Sequence, residues 1–493
     1  MSITQRLGKK TVYGWTRTNF YRKGLFMGGF FGVVSKEDCV NDLFFGTDYH
    51  SHLGTKRGGL ATKNSMGFSR AIHNIENNYF RSKFEPDLPE FSGHNGIGVI
   101  SDYDPQPLIF GSHLGRFGIV TVGKINNIVE LAKKAFQKKI HFSETSGGDL
   151  SPTEIVATLI CEEDSFEHGI QHAQEAIKGS CSMLLLTEKG IYAARDKLGR
   201  TPVIIGKKQG AYAASSETCA FPNLGFEIYK YLGPDEIVFM TADGCEQKKK
   251  PGEKMQICAF LWVYYGYPAS SYEAINVEFV RYRCGSALGK EDDYTIDYVA
   301  GIPDSGTGHA IGYANEKNIP YIRPYVKYTP TWPRSFMPQD QSIRNLVAKM
   351  KLIPIREMIE GKKILFCDDS IVRGTQLQDH SQILFDYGAS EVHMRPACPT
   401  LIYPCEFLNF STSRSTLDLA GRKAIRELED TDDKFLDEYA TSNSEKNQAM
   451  VEKIRQRLKL TSLKYQKLEN LVKAIGLPKE KLCTHCWDAS SYF

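Results

Sequence analysis

The chain has 493 residues, and its 61 lysines and arginines nearly balance its 58 aspartates and glutamates, which leaves a formal net charge of +3. This balance argues against a nucleic-acid binder with a basic surface over the whole chain. Hydrophobic residues make up 41% and charged residues 24%, which excludes a disordered chain. No apolar run is long enough to span a bilayer. We therefore expect a cytoplasmic protein that binds neither nucleic acid nor a membrane.

Residues 1–27 are predicted to be a basic extension, because they contain basic residues and no acidic one. They lack the apolar core of a secretory signal. We favour a disordered extension, or translation that starts at Met27, over an Arg-rich transit peptide. The basic residues are Arg6, Lys9, Lys10, Arg17, Arg22 and Lys23.

In the region from 28 to 245, helical segments flank a middle part that is dense in strands. The apolar run at 28–34 predicts a strand, and the spacing of apolar residues at 128–136 and 153–177 predicts helices. Strand signals then follow closely between 182 and 241. This order predicts a layered α+β domain.

The second half begins after a predicted linker at 248–254 and alternates between strand, loop and helix. A strand at 298–303 leads through a glycine-rich turn into a helix, and a second such unit covers 362–389. This alternation is typical of βαβ units, so the sequence predicts an α/β domain with a parallel sheet over 258–415. Residues 416–493 are predicted to be a helical C-terminal tail that ends in a Cys-x-x-Cys pair.

The second βαβ unit carries the most informative polar residues. Asp368 and Asp369 follow an apolar strand at its carboxyl end, where open α/β sheets bind ligands. The loop at 370–375 leads into a helix, whose N-terminus attracts phosphate. Two adjacent carboxylates suit sugar hydroxyls and hydrated Mg²⁺. The segment therefore predicts a phosphate site next to a site for sugar hydroxyls and Mg²⁺, which is the combination that a phosphorylated ribose needs. The alternative is an acidic pair that caps the helix and binds no ligand.

The nonapeptide CDDSIVRGT (367–375) closely resembles the 5-phosphoribosyl-1-pyrophosphate (PRPP) motif of type I phosphoribosyltransferases, and in particular of glutamine amidophosphoribosyltransferases. Three more segments are similar to that family: 300–314 resembles its pyrophosphate loop, 334–341 its flexible catalytic loop, and ASSETCAF (214–221) part of its glutaminase domain. The resemblance implies an α+β N-terminal-nucleophile (αββα) glutaminase-like domain followed by an α/β type I phosphoribosyltransferase domain.

The resemblance also implies roles for individual residues. Asp368 and Asp369 would hold the ribose hydroxyls and Mg²⁺, and Arg334 would close over the ligand. Gly306, Gln376 and Leu377 depart from the family pattern, which usually has hydroxyl or small residues there. The remaining PRPP-binding residues would be Ser370, Arg373, Gly374 and Thr375 at the 5-phosphate, and Pro303, Asp304 and Ser305 at the pyrophosphate.

The glutaminase half lacks the nucleophile that the family requires. Its enzymes attack glutamine with a cysteine at mature residue 1, whose α-amine can take the proton. Gly28 occupies this position, and Cys39, in a predicted turn, is a poor substitute. We expect a glutaminase fold that does not hydrolyse glutamine. Other positions of the family's pocket align with Thr121-Val122-Gly123, Ser101 and Pro152, and Arg57-Gly58 is retained.

Cys483 and Cys486 form a Cys-x-x-Cys pair, which by itself is compatible with zinc, a redox pair or an iron–sulfur cluster. Cys258 and Cys405 match the positions at which bacterial members of the family hold a structural [4Fe–4S] cluster. The resemblance therefore implies such a cluster on these four cysteines, which would attach the tail to the domain junction. Zn²⁺ and four unliganded cysteines are the alternatives.

Three functions are compatible with this sequence. The first is an enzyme that transfers the phosphoribosyl group of PRPP to ammonia or another small nucleophile, as in purine biosynthesis, without glutamine hydrolysis. The second is a non-catalytic regulatory paralogue that binds PRPP or nucleotides. The third, a conventional glutamine-dependent enzyme, requires the absent cysteine. The resemblance further implies a homo-oligomer with purine nucleotides as regulators.

Overall fold

Two antiparallel β-sheets form the first domain of this computed structural model, which describes residues 28–143, 150–328, 352–408 and 415–492. The basic extension predicted at 1–27 lies outside these ranges. The strands are β1 (Gly28–Ser35), β2 (Arg57–Asn64), β3 (Gly67–Asn74), β4 (Asn95–Ser101), β5 (Leu108–Ser112), β6 (Gly115–Ile125), β7 (Gly179–Leu186), β8 (Ile191–Ala194), β9 (Ile204–Lys208), β10 (Ala211–Ser215), β11 (Glu227–Tyr231), β12 (Ile237–Met240) and β13 (Cys245–Lys249).

The two sheets face each other across an apolar core. One has the strand order β11-β9-β10-β1-β4-β2-β3, and the other has the order β13-β12-β8-β7-β6-β5. Phe30 and Val34 of β1 share this core with Leu184 and Leu186 of β7. Gly32 lets the sheets approach closely, since a Cβ there would lie 2.8 Å from a Leu184 methyl carbon. Strand β13 extends the sheet into the predicted linker.

Helices cover the outer faces of both sheets, which explains why β1 is buried on both sides along most of its length. The resulting helix–sheet–sheet–helix arrangement is the αββα fold that the sequence predicts. Ser151 and Ser165 each cap a helix by accepting a backbone N–H with the side-chain oxygen. The helices are α1 (Val40–Asp48) and α2 (Phe80–Phe84) on the first sheet, and α3 (Ile128–Gln137), α4 (Pro152–Ile160) and α5 (Phe166–Ala176) on the second.

The second domain is built on a parallel sheet, as predicted. Its strands lie in the order β17-β20-β21-β22 and run over β17 (Tyr298–Gly301), β20 (Lys363–Asp368), β21 (Glu391–Pro396) and β22 (Ser462–Leu463). Short strands outside this sheet are β14 (Ile257–Cys258), β15 (Ser271–Tyr272), β16 (Ile275–Asn276), β18 (Tyr325–Lys327), β19 (Leu352–Pro354) and β23 (Leu482–Cys483).

The C-terminal segment is part of this domain and contributes β22 to its sheet. The sequence predicts a helical tail here, and the structure packs Ile425 and Ile454 of its helices against Ile364 and Phe366 of β20. These helices therefore combine a charged face with a buried apolar face. The domain's helices are α6 (Val277–Lys290), α7 (Thr307–Lys317), α8 (Arg356–Ile359), α9 (Thr375–Asp386), α10 (Ala420–Glu429), α11 (Leu436–Ala440), α12 (Glu445–Arg457), α13 (Leu468–Ile475) and α14 (His485–Asp488).

Among the helices of the described ranges, none combines the length and the apolar character that a bilayer crossing demands.

A buried carboxylate joins the two domains. Glu217, two residues after β10, accepts hydrogen bonds from the Tyr272 hydroxyl at 2.6 Å and the Ser270 hydroxyl at 3.1 Å, and its Oε2 lies 3.1 Å from His52 Nε2. The Glu217 side chain is only 1% exposed. Burial raises its pKa, but His52 and the Tyr272 hydroxyl favour the carboxylate more strongly and lower the pKa to about 2.

We predict that Glu217→Gln lowers the free energy of unfolding by about 3 kcal/mol at pH 7, because the buried carboxylate loses its charge-assisted contacts. The folded-state pKa lies below the ordinary value of 4.5, so this stabilisation is present above pH 4.5 and disappears as the pH falls towards about 2. Urea unfolding, followed by the fluorescence of Trp262 beside Tyr272, measures the difference.

Glu188→Gln is the matched control, since Glu188 is half-exposed and pairs with Lys63 at the surface. It should change the unfolding free energy by less than about 1 kcal/mol. A Glu217→Gln protein as stable as this control at pH 7 would contradict the junction role.

Candidate active site

The predicted acidic pair lies at the carboxyl end of a central strand. Strand β20 is hydrogen-bonded on both sides, to β17 and to β21, and its apolar residues are buried. Asp368 is its last residue and is paired with Pro396. The structure therefore places Asp368 and Asp369 at the sheet edge where parallel sheets bind ligands.

Hydroxyl and amide groups hold the two carboxylates in place. The Ser305 hydroxyl donates to Asp368 Oδ1 at 2.8 Å, and the Asp369 amide donates to the same oxygen at 2.9 Å. The Ser370 hydroxyl donates to Asp369 Oδ2 at 2.6 Å. Burial raises the pKa of Asp368 well above its usual range, and the neighbouring Asp369 raises it further. Burial also raises the pKa of Asp369. Such a pair is stabilised by any ligand that brings positive charge or hydroxyl donors.

The predicted pyrophosphate loop packs directly against β20. The Ile302 amide donates to the Cys367 carbonyl at 3.0 Å. A Cβ on Gly306 would lie 2.1 Å from that same oxygen, so no side chain fits there without movement of the strand. Packing therefore explains why glycine stands at position 306, where the family usually has a hydroxyl residue. The hydroxyl that contacts Asp368 comes from the neighbouring Ser305.

Asp304 lies apart from this hydrogen-bonded group. Its carboxylate is 77% exposed and forms an ion pair of 2.6 Å with Lys327 of β18. The Pro303–Asp304 peptide is cis. Of the three acidic residues proposed for this loop and strand end, Asp369 is buried, Asp368 is half-buried and Asp304 lies at the surface.

The predicted phosphate loop ends in a tight turn before α9. Gly374 has a φ of 76°, which is a left-handed conformation that favours glycine, and Thr375 is the first residue of the helix. The Val372 carbonyl accepts the Ala420 amide at 2.8 Å, so the start of α10 supports the loop. Arg373 is exposed, with its guanidinium 3.9 Å from the Asp418 carboxylate.

Two expectations at this site fall outside the described residues. Arg334, the predicted closing residue, belongs to the undescribed segment 329–351. The side chains of Thr375 and Gln376 are likewise outside what the structure describes. Their roles stay predictions.

Arg281 is a residue of this region that the sequence analysis missed. It lies on the buried face of α6 and donates to the carbonyls of Trp262, Tyr264 and Gly266 at 2.8–3.1 Å. Its charge also opposes the rise of the pKa of Asp369. Arg281 stands where the helical periodicity of the sequence predicts a buried apolar residue, and this departure from the pattern could have identified it.

Gly28 begins β1, between β4 and β10. A Cβ at this position would lie 2.4 Å from the Ile100 carbonyl oxygen. The position therefore lacks a nucleophile and also lacks room for one. Cys39 offers no replacement, because burial raises the pKa of its thiol far above the ordinary value.

The surroundings of Gly28 are largely apolar. A small cavity of about 50 Å³ is lined by Gly28 and Val122 from the first domain and by Tyr265 and Tyr272 from the second. Other positions of the expected glutamine pocket are engaged within the fold: the Thr121 hydroxyl contacts the Thr153 hydroxyl at 2.7 Å, and Pro152 is the first residue of α4. The cavity thus offers few polar groups to a glutamine side chain.

The structure gathers the four predicted cysteines, which come from three distant segments. Cys258 and Cys483 are paired in the parallel strands β14 and β23. The thiols of Cys405 and Cys486 are hydrogen-bonded, and this contact and burial raise the pKa of Cys486 well above its usual range. All four are buried and free of disulfides. Across the described ranges, however, no group of three or more His, Cys, Asp or Glu residues could hold a single metal ion.

Comparisons with known proteins agree with the description of both domains. Residues 96–223 match a family model described as a glutamine amidotransferase domain. The amidophosphoribosyltransferase of Methanocaldococcus jannaschii is 29% identical, covering 93% of this chain and 96% of the relative. The amidophosphoribosyltransferase of Bacillus subtilis is 28% identical, with 91% and 89% coverage.

Solved structures extend the match to the whole fold. The glutamine PRPP amidotransferase from B. subtilis complexed with ADP and GMP superposes with a TM-score of 0.80 at 26% identity, over 94% of this chain and 97% of that one. A structure described as the allosteric regulatory enzyme of purine biosynthesis gives a TM-score of 0.81, also at 26% identity, with 94% and 96% coverage. The predicted fold and the predicted resemblance to the amidophosphoribosyltransferase family are confirmed.

Proposed function

We propose that this protein transfers the phosphoribosyl group of PRPP to ammonia, or to another small nucleophile, without hydrolysing glutamine. With ammonia the product is 5-phosphoribosylamine, consistent with relatives that are named amidophosphoribosyltransferases. The observation that carries the proposal is a contrast between two sites. Asp368 and Asp369 stand at the ligand-binding edge of β20, whereas residue 28 has no room for a nucleophilic side chain.

The donor set at β20 fits a Mg²⁺ ion. Mg²⁺ is usually bound by one or two carboxylates together with water and substrate phosphates, so a site of this kind needs no cage of three protein ligands. Asp368 and Asp369 would hold the ion and the ribose hydroxyls, and bound Mg²⁺ would neutralise charge on the pyrophosphate that leaves. Ser305 orients Asp368 for this role.

The remaining residues position the substrate. The backbone amides at the turn of Gly374 and the N-terminus of α9 suit the 5-phosphate, because helix N-termini favour anions. The nitrogen of ammonia forms a bond to C1 of the ribose, the bond from C1 to the pyrophosphate oxygen breaks, and the nitrogen releases a proton. Holding both reactants beside the oxocarbenium-like transition state supplies most of the acceleration.

The four cysteines support the proposal of a [4Fe–4S] cluster. A zinc ion needs all four sulfurs on one atom, whereas a [4Fe–4S] cluster places each thiolate on a different iron. The four buried thiols lie together, and their match to the cluster positions of the family carries the proposal, with zinc as the alternative. Purine nucleotides are proposed regulators, because the B. subtilis relative was solved with ADP and GMP. A homo-oligomer and a cytoplasmic location stay predictions.

We predict that the purified protein releases pyrophosphate from PRPP when Mg²⁺ and an ammonium salt are present, and that Asp368→Asn lowers this rate at least about 100-fold because a ligand of the leaving-group charge is lost. An enzyme-coupled pyrophosphate assay measures the rate. Asp243→Asn is the matched control, since Asp243 is an exposed partner of Lys36, and it should leave the rate unchanged.

PRPP binding without pyrophosphate release, measured by calorimetry on the same sample, would contradict the enzymatic proposal and would favour the regulatory paralogue. Glutamate release from glutamine by the unmodified chain would contradict the loss of glutaminase activity.

We predict that Gly28→Cys does not restore glutaminase activity, because its Cβ would lie 2.4 Å from the Ile100 carbonyl. Gly28→Ala should cost about 1–3 kcal/mol of stability for the same reason. Gly111→Ala is its control, since a Cβ there meets nothing within 4 Å. A glutamate-release assay and thermal unfolding provide the two measurements, and equal melting temperatures for the two alanine variants would refute the packing argument.

A further inference from the structure

Strand β3 is the longest of the four strands that end the two sheets of the first domain. It has 8 residues, whereas the other three end strands, β5, β11 and β13, have 5 residues each. Its ladder with β2 runs without a register shift from Asn74 opposite Arg57 to Gly67 opposite Asn64. Within the part of the chain that the structure describes, β3 pairs with β2 alone.

The hydrogen-bond pattern identifies the backbone groups on the open side of β3. The Ile75 amide donates to the Lys56 carbonyl at 2.8 Å. In an antiparallel ladder such bonded pairs recur at every second residue, so the odd-numbered residues from 69 to 73 bond to β2. The even-numbered residues from 68 to 74 therefore direct their N–H and C=O groups away from the sheet. Only an extended chain can pair with such a row of donors and acceptors.

Two of the other end strands carry features that prevent further pairing. The ladder of β11 shifts register between Ile228 and Lys230, and the ladder of β13 shifts opposite Ile237 and Val238. Both strands also contain lysine. Bulges, lysines and short strands are the means by which proteins protect a sheet edge. Strand β3 has an unbroken ladder, no proline and no lysine, so it lacks these protections.

Two strongly exposed apolar side chains lie at opposite ends of β3. Met66, in the turn before the strand, is 90% exposed, and Tyr79, shortly after the strand, is 62% exposed. Antiparallel pairing of β3 with β3 of a second copy brings the Met66 end of each chain to the Tyr79 end of the other. The same contact therefore covers both side chains, which is what a self-complementary, two-fold interface requires.

Charge selects the register of such a pair. Like charges directly opposite each other are destabilising, which disfavours Arg70 opposite Arg70 of the partner subunit. A shift by one position of each chain's outward row sets Arg70 opposite Ile72 of the partner subunit. In this register every even-numbered residue from 68 to 74 lies opposite another one, so all the outward backbone groups of both chains find partners.

We propose that β3 is a homodimer interface. Two copies of this chain pair their β3 strands antiparallel, with Arg70 opposite Ile72 of the partner subunit, and thereby join their seven-stranded sheets into one continuous sheet. The inference assigns a surface to the predicted homo-oligomer, and it does not depend on the reaction proposed above.

The test measures the mass of the full chain by light scattering and its dissociation constant by analytical ultracentrifugation. Ile72→Lys places a lysine opposite Arg70 of the partner subunit at two symmetric positions, so the dissociation constant should rise at least about tenfold. Adding Arg70→Glu makes these pairs opposite in charge and should restore it to within about threefold of the wild-type value. Ile228→Lys is the matched control, because Ile228 is a half-exposed residue of the protected edge strand β11. It should leave the mass and the dissociation constant unchanged.

Hydrogen exchange of the unmodified chain provides a second measurement that needs no substitution. The amides of Phe68, Arg70 and Ile72 should exchange at least about tenfold more slowly in a concentrated sample than after dilution below the dissociation constant. The amides of β11 should exchange at the same rate in both samples.

A wild-type chain that is monomeric at every concentration overturns the homo-oligomer and the β3 interface together. An oligomer that dissociates no more readily with Ile72→Lys than with Ile228→Lys overturns the interface alone. Dissociation by Ile72→Lys that Arg70→Glu does not reverse overturns the antiparallel register. If Ile72→Lys does not fold, as judged by circular dichroism, hydrogen exchange decides, and amides of 68–72 that exchange equally fast in both samples overturn the proposal.

Discussion

The space between a strand backbone and a glycine constrains a key position in each domain of this protein. At Gly306 the Cys367 carbonyl lies so near that only a hydrogen fits, and this contact brings the pyrophosphate loop and Ser305 onto the strand that ends in Asp368. At Gly28 the Ile100 carbonyl imposes the same restriction. There it leaves no room for a side chain. One steric constraint thus brings a loop onto its strand in one domain and fixes a glycine at the start of β1 in the other.

The domain junction couples the fold of the first domain to that of the second. Glu217 accepts hydrogen bonds from Tyr272 and Ser270 of the second domain, and Arg200 donates to Ser491 at 3.2 Å. These buried groups lose hydrogen-bond partners when the domains separate, and a buried polar group without partners is destabilising. Loss of the glutaminase fold would therefore also expose the cysteine group and the base of the second domain.

The acidic pair shows how burial and ligand binding are connected in the second domain. Asp369 is buried and Asp368 beside it is half-buried, and burial raises the pKa of both. This arrangement costs free energy, which a ligand with hydroxyl groups and a bound cation would recover. The hydrogen bonds from Ser305 and Ser370 orient the two carboxylates in the protein without ligand.

The sequence by itself determined the local features: the alternation that produces the parallel sheet, the Asp368–Asp369 pair at a strand end, the loop before α9 and the glycine at position 28. These follow from periodicity and from short motifs, which depend on neighbouring residues. Only the tertiary structure decided that Gly306 fits for steric reasons, that Asp304 faces Lys327 and that residues 462–463 join the sheet. It also decided that Arg200 and Arg281 contact residues far away in the chain. Those relations depend on distances between segments brought together by folding, and a single sequence carries no record of such distances.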